Sequence, residues 1–157
     1  LIAQYEDLRV QRLNMMKELR ALSKTERFAE PLRLLMTVPG IGQVSGLTIL
    51  SEIDDIARFK DASHLASYVG IVPMCYSSGE HDGTGNLTVR RHAQLRWLIV
   101  ESAWIAVRKD PVLSAAYVEY CRKMKPSKAI IKVARRIINR IYFVMKHQHP
   151  YVNCFVS

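Results

Sequence analysis

Acidic side chains are absent from the C-terminal part of this 157-residue chain: residues 120–157 contain no aspartate and no glutamate. The same segment contains nine lysines and arginines, so it carries the whole formal charge of +9, while residues 1–119 sum to zero. A basic segment without compensating acids indicates a surface that binds a polyanion. A solvated helix face is the alternative explanation, and the complete lack of acids makes it the weaker one.

Cysteine is scarce, and long apolar runs are missing. Cys75, Cys121 and Cys154 are odd in number and widely spaced, which argues against a disulfide framework and favours a reducing, cytoplasmic location. Cys75 and His81 lack the paired spacing of a zinc site, so we expect free thiols and no metal. No segment has the length of a membrane span, and the charged, amphipathic start differs from a signal peptide. Because the chain starts at Leu1 already in helical register, we expect a piece of a longer protein.

The most informative motif is the run Val38-Pro39-Gly40-Ile41-Gly42, which lies between helical patterns at residues 31–37 and 42–53. A short turn of this kind exposes backbone N–H groups at the start of the second helix, where the helix dipole also favours an anion. We therefore expect Gly40, Ile41 and Gly42 to bind a nucleic-acid backbone. Valine in place of either glycine should weaken that binding.

Residues 1–28 have the pattern of one helix with a coiled-coil seam. The seam positions alternate at spacings of four and three: Leu1, Tyr5, Leu8, Arg12, Met15, Leu19 and Leu22. Four heptads barely suffice to separate this interpretation from an ordinary amphipathic helix packed on the domain. We assign residues 1–30 to a coiled-coil-like helix and expect a homo-oligomer.

The middle of the chain combines a short helix, an irregular stretch and a longer helix. Asp61 and Ser63 are N-cap candidates for a helix that ends before Gly70. Residues 75–88 are rich in turn formers and predict a loop or a loose hairpin. From Arg90 to about Arg108 a helix returns with two apolar faces, so we expect its tryptophans, Trp97 and Trp104, to lie in the core rather than to stack on bases.

Two further helices close the domain. Asp110-Pro111 predicts a capped helix start that leads to about Lys123, and Lys125-Pro126-Ser127 ends that helix. The last helix, 128–146, is apolar on one side and basic on the other. The fold class we expect is mainly α, a helical bundle with a helix-hairpin-helix motif and an irregular Gly/Ser loop. The predicted DNA-binding cations are Lys128, Lys132, Arg135 and Arg136 on the last helix, with Arg90, Arg91 and Arg96 beside the loop.

The order of these motifs resembles a known family. The runs that carry the resemblance are Pro39-Gly40-Ile41-Gly42, Phe59-Lys60, Leu65-Ala66-Ser67-Tyr68-Val69-Gly70-Ile71-Val72-Pro73, Ser77-Ser78-Gly79 and Leu95-Arg96-Trp97-Leu98-Ile99-Val100-Glu101-Ser102-Ala103. They resemble the C-terminal half of insertion-sequence transposases of the one-ten and one-sixteen group. These enzymes pair an RuvC-like half with a serine-bearing domain. The resemblance implies that 31–149 is the DNA-binding and catalytic-serine domain, 1–30 the linker helix and 150–157 a tail.

The resemblance implies a recombinase that cuts and rejoins DNA, with Ser78 in the position of the family's nucleophile and an RNA guide in some members. Mg²⁺ is implied only for the RuvC-like half, which this chain lacks, so no cofactor is expected here. A serine hydroxyl needs an activating base or metal, and His81 and His92 are nearby candidates. Two alternatives stay open: a non-catalytic helix-hairpin-helix DNA-binding module, and a protein–protein adaptor that uses residues 1–28.

Overall fold

The structure is a computed structural model that describes residues 1–78, 81–87 and 92–152, with the backbone alone described for 73–78 and 81–87. This part of the chain folds into seven α-helices, one 3₁₀ turn and a two-stranded antiparallel sheet, and so confirms the mainly helical class. In chain order the elements are α1 (Ile2–Leu22), α2 (Glu26–Leu35), α3 (Gln43–Ile53), the 3₁₀ turn (Ile56–Arg58), α4 (Ala62–Val69), β1 (Pro73–Ser78), β2 (His81–Leu87), α5 (Ala93–Lys109), α6 (Pro111–Lys123) and α7 (Pro126–His147).

Helix α7 is the centre of the core and packs against α2, α4, α5 and α6. The apolar face predicted from its sequence is buried, whereas the basic side remains at the surface. Burial of one such aliphatic side chain contributes about 1.5–3 kcal/mol, so this face is the largest single source of cohesion in the bundle. The buried residues include Ile130, Val133, Ile137, Ile138, Ile141 and Val144.

The predicted extent of the first helix, residues 1–28, is wrong. It ends at Leu22, and residues 26–28 belong to α2 instead. Two hydroxyl groups end the first helix, because Ser23 Oγ donates to Arg20 O over 2.9 Å and Thr25 Oγ1 donates to Leu22 O over 2.7 Å. Side chains that bond the preceding carbonyls in this way compete with the helical ladder.

Helix α1 does not pack on the rest of the domain as an ordinary amphipathic helix would. None of its residues is buried, and of the predicted seam only Leu19 contacts the core. Leu8 is 63% exposed and Met15 is likewise 63% exposed. The described residues therefore leave the apolar seam without a partner.

The predicted caps at Asp61, Gly70 and Asp110 are confirmed, whereas the other candidate, Ser63, lies inside α4. The Asp61 carboxylate accepts the N–H groups of Ser63 and His64 at the start of α4, and Gly70 ends that helix in the left-handed region at φ 80°. Asp110 accepts the N–H groups of Val112 and Leu113 at the start of α6. Short side-chain oxygens at these positions satisfy amides that the helix itself leaves unpaired.

The prediction of an irregular Gly/Ser loop is wrong for the described backbone. This backbone forms a hairpin, which was the alternative that the sequence left open. Strands β1 and β2 pair antiparallel, with Ser78 and His81 as Cα partners at the closed end and Pro73 and Leu87 at the open end. Turn-forming residues mark a reversal of the chain but do not reveal whether the flanking segments pair. Strand formation depends mainly on cross-strand neighbours rather than on local preference.

The core placement of the two tryptophans is also wrong. Trp97 is 64% exposed and Trp104 is 37% exposed, because α5 turns another face inward. Leu95, Ile99 and Ala103 are buried on that inner face, where α5 packs on α7. A spacing of seven shows that two residues share a face of a helix, but it does not show which face is buried.

Candidate nucleic-acid interface

The turn between α2 and α3 presents fewer free amides than its sequence suggests. Ile41 N donates to Val38 O over 3.1 Å, and Gly42 N donates to Ser45 Oγ over 2.8 Å. The Ile41 side chain lies in the core. The N–H groups of Gln43 and Val44, in the first turn of α3, have no acceptor among the described residues. Of the N–H groups of Gly40, Ile41 and Gly42, two are therefore bonded within the protein, and binding of an anion at this helix start stays a prediction.

Gly40 has a packing role that its sequence does not reveal. It takes φ +90°, and a Cβ atom added there would lie 2.1 Å from the carbonyl oxygen of Ser102 on α5. At Gly42 the same addition would meet nothing closer than Ser45 Oγ at 4.0 Å. Gly40 therefore allows the turn to contact α5, whereas Gly42 is exposed and open to a ligand.

The C-terminal segment holds the turn from the other side. Tyr151 N donates to Thr37 Oγ1 over 2.7 Å, and the Tyr151 hydroxyl donates to Asp110 Oδ2 over 3.3 Å. The start of the turn is thus tied to the N-terminus of α6 through one tyrosine. Helix α7 ends at His147, and of the predicted tail, 150–157, residues 153–157 lie outside the described residues.

Three of the predicted cations on α7 have defined contacts at the surface. Arg135 Nη2 donates to Ser63 Oγ of α4 over 2.9 Å. Arg136 Nε donates to the Tyr120 hydroxyl over 3.0 Å, and Lys132 Nζ lies 5.2 Å from the centroid of the same ring. Lys128 is exposed on the first turns of the helix. The basic side of α7 is therefore available to an external anion and is partly ordered by neighbouring side chains.

Other cations in the basic segment are neutralised within the protein. Arg140 pairs with the fully buried carboxylate of Asp110 over 2.7 Å and lies 4.3 Å from the centroid of the Tyr151 ring. Lys123 donates to Glu119 over 2.9 Å, and this hydrogen bond raises the pKa of the Lys123 ammonium. Arg122 contacts the same carboxylate. Among the described residues, the cations of this segment without an ion pair are Lys125, Lys128, Lys132, Arg135, Arg136 and Lys146.

The predicted catalytic position lies at the closed end of the hairpin. Ser78 is the last residue of β1, and its Cα partner on β2 is His81. The other candidate base, His92, donates from Nε2 to a carboxylate oxygen of Glu52 over 3.0 Å, and its ring centroid lies 5.6 Å from that of Tyr68. The backbone register therefore favours His81 over His92 as the neighbour of Ser78.

The remaining predicted residues divide into those the structure describes and those it does not. Arg96 is half-buried on α5. Arg90 and Arg91 lie outside the described residues. Within the described part of the chain, the turn contacts α5 and Tyr151, whereas the α7 cations contact α4 and α6. Their position on one common surface stays a prediction.

In the described ranges, no group of three or more His, Cys, Asp or Glu side chains is arranged to hold a metal ion. None of the described helices is both long enough and apolar enough to cross a membrane.

Comparison with known proteins supports the resemblance seen in the motifs. Residues 32–118, from α2 into α6, match the family described as Transposase IS116/IS110/IS902. The insertion element IS116 uncharacterized 44.8 kDa protein of Streptomyces clavuligerus is 29% identical over 134 residues, which is 83% of this chain and 32% of that protein. The transposase for insertion sequence element IS1111A of Coxiella burnetii is 27% identical over 92 residues, 59% of this chain and 24% of that protein.

A third relative carries a different name. The pilin gene-inverting protein of Moraxella bovis is 28% identical over 121 residues, which is 75% of this chain and 38% of that protein. The chain thus spans only about a quarter to two fifths of the length of these relatives. Since the family match covers more than half of its residues, the chain belongs to the IS116/IS110/IS902 transposase family.

Proposed function

We propose that this chain is the DNA-binding and serine-bearing part of a transposase that cuts and rejoins DNA. The observation that carries the proposal is the exposed side of α7, where the cations named above have no ion-pair partner among the described residues. Such a surface binds phosphate groups by releasing their counterions, so binding is steeply salt-dependent and largely independent of sequence. The transposase and gene-inverting relatives make DNA the natural polyanion.

Two further parts of the chain support the same assignment. The N-terminus of α3 offers the N–H groups of Gln43 and Val44, which have no acceptor among the described residues, and this suits a phosphate oxygen. The hairpin carries Ser78 at its closed end, on a segment whose glycines allow a DNA strand to approach. In this proposal α7 and α3 bind the phosphate backbone of the DNA strand that reaches Ser78.

The chemical step is a phosphoryl transfer. The Ser78 oxygen forms a bond to phosphorus while the bond from phosphorus to a sugar oxygen breaks, which leaves a phosphoserine ester and a free sugar hydroxyl. The serine proton passes to a base, for which His81 is the nearest candidate along the strand register, and the leaving oxygen takes up a proton. Rejoining reverses these transfers with a different sugar hydroxyl. Mg²⁺ chemistry and any RNA guide belong in this proposal to the RuvC-like half of the full-length enzyme.

The binding part of the proposal is tested by charge reversal on α7. Lys132→Glu combined with Arg135→Glu should weaken binding to a labelled DNA duplex and flatten its salt dependence, because two phosphate contacts are lost. Lys17→Glu on the exposed helix α1 is the control, and circular dichroism shows whether α7 is intact. Equal binding by the double variant and the parent would contradict the proposal.

The catalytic part is tested on the full-length enzyme. A suicide DNA substrate should trap a covalent protein–DNA adduct, and Ser78→Ala should abolish it. An adduct that persists in the Ser78→Ala enzyme would show that another residue is the nucleophile. DNA binding without any adduct in the unmodified full-length enzyme would favour the non-catalytic helix-hairpin-helix module, which needs only the turn and α7.

A further inference from the structure

Tyr120 on α6 contacts two of the unpaired cations of α7 at once. The Lys132 Nζ atom lies 5.2 Å from the centroid of its ring, and the Arg136 Cζ atom lies 5.5 Å from the same centroid. Arg136 Nε also donates to the Tyr120 hydroxyl over 3.0 Å. Lys132 and Arg136 are four residues apart on α7 and so share one face of the helix.

This arrangement offsets two free-energy costs of holding the cations together: their mutual repulsion and the loss of side-chain entropy. Two positive charges at this spacing repel each other, and both side chains have many rotamers to lose on binding. The negative face of an aromatic ring attracts both cations, and the hydroxyl fixes the guanidinium by a directional bond. Because Tyr120 engages only Nε, both terminal nitrogens of Arg136 stay available for a bidentate contact.

The neighbouring charges leave the pair uncompensated. Glu119, the residue before Tyr120, pairs with Arg122 and Lys123 on its own helix. In the part of the chain that the structure describes, no carboxylate lies within ion-pair distance of Lys132 or Arg136. Arg140 shows the opposite situation one turn further along α7, since Asp110 neutralises it. Lys132 and Arg136 therefore do not form a structural ion pair such as that of Arg140.

We infer that Tyr120 is a positioning residue that holds Lys132 and Arg136 together as a clamp for one phosphodiester group of a nucleic-acid strand. The inference rests on the proposed function and adds a residue that carries no charge itself. A clamp that is ordered before binding loses less side-chain entropy when the phosphate arrives. Tyr120 should therefore raise affinity without adding to the number of phosphates contacted.

The test separates affinity from salt dependence. Tyr120→Leu should weaken binding of the chain to a labelled random-sequence duplex by about tenfold, because two rotamer-rich side chains must then be ordered on binding. The slope of log K against log salt should stay as in the parent, because both cations are still present. Tyr120→Phe keeps the ring and loses only the hydroxyl bond, so its DNA affinity should lie between those of the parent and Tyr120→Leu.

The matched control is Tyr117→Leu. Tyr117 lies on the same helix, stacks edge-on against Trp104 at 5.6 Å and has no contact with an α7 cation among its described partners. This variant should bind like the parent. If both tyrosine variants lose affinity equally and in proportion to a lower melting temperature, Tyr120 is only structural and the inference is wrong.

A double-mutant cycle completes the test. Lys132→Gln with Arg136→Gln removes the contact with one phosphate and should lower the salt slope by about one, and adding Tyr120→Leu to that background should change nothing further. A full additional loss would overturn the clamp, because Tyr120 would then act without the cations. If the parent chain shows no salt-dependent DNA binding, the proposed function fails with it. If the parent and the glutamine variants behave as expected while Tyr120→Leu binds like the parent, only the inference fails.

Discussion

At the scale of single residues, two glycines of one motif have different physical roles. The Pro-Gly-x-Gly pattern suggests that both glycines let a ligand approach, yet only Gly42 is open on the surface. Gly40 combines a positive φ with direct contact to the α5 backbone. Such a contact involves residues 102 and 106, far away in the chain, and no local pattern could have revealed it.

The difference makes the two positions separable by mutation. Gly40→Val should destabilise the fold strongly, because the backbone conformation is strained and the new side chain overlaps Ser102. Gly42→Val should fold and lose DNA affinity, because it obstructs the start of α3. Chemical unfolding and duplex binding of each variant give the two results. Weaker binding by a stably folded Gly40→Val protein would restore the simpler interpretation of the motif.

A second residue-scale prediction concerns the buried pair of Asp110 and Arg140. Asp110→Ala removes both the cap of α6 and the partner of a mostly buried guanidinium, and breaking a buried pair of this kind costs about 3–5 kcal/mol. Asp110→Asn keeps a cap oxygen and should be less destabilising. The free energy of unfolding in urea measures both. A loss for Asp110→Ala as small as that of a typical surface substitution would contradict the role assigned here.

At the scale of elements, local sequence signals predict helix ends well and helix faces less well. Asp61, Gly70 and Asp110 act within a few residues of themselves, so their sequence positions suffice to place the ends of α4 and α6. Trp97 and Trp104 depend on which side of α5 meets α7, which is a property of two elements together. The break between α1 and α2 depends on hydroxyl bonds that compete with a continuous apolar pattern.

The cap of α4 predicts a dependence of stability on pH. The side-chain hydrogen bond from His64, with the backbone bonds at the helix start, lowers the pKa of Asp61 to about 2. A carboxyl whose pKa is lower in the folded than in the unfolded protein stabilises the fold above its unfolded value of about 3.9, and that contribution is lost as pH falls through the folded value. Asp61→Asn should therefore unfold with a weaker pH dependence than the parent between about pH 4 and 2. Parallel curves in acid titrations of urea unfolding would contradict this.

At the scale of the whole molecule, α1 stands apart from a bundle that closes around α7. Its apolar seam is exposed in a single chain, which favours the expected pairing with another helix, in the same protein or in a second copy. The chain offers a matched pair of positions on opposite sides of this helix. Leu8 lies in the seam at 63% exposure, and Val10 lies away from it at 54% exposure.

Aspartate at these two positions should have different effects on assembly. Leu8→Asp places a charge in the seam and should shift the chain toward the monomer, whereas Val10→Asp should not. Light scattering over a range of protein concentrations measures the change in oligomeric state. If both variants assemble like the parent, α1 does not mediate self-association in this chain.

The amino-acid sequence by itself determined the helical class, the caps, the two-faced α7 and the confinement of positive charge to residues 120–157. Each of these depends on composition or on neighbours within one or two helical turns. The motif order also indicated the family. The tertiary structure alone decided which cations remain unpaired, which face of α5 is exposed, and that Gly40 packs on α5 while Tyr120 gathers Lys132 and Arg136. These properties depend on contacts between residues distant in sequence. A cation is available to a ligand only if the folded chain does not pair it with a carboxylate.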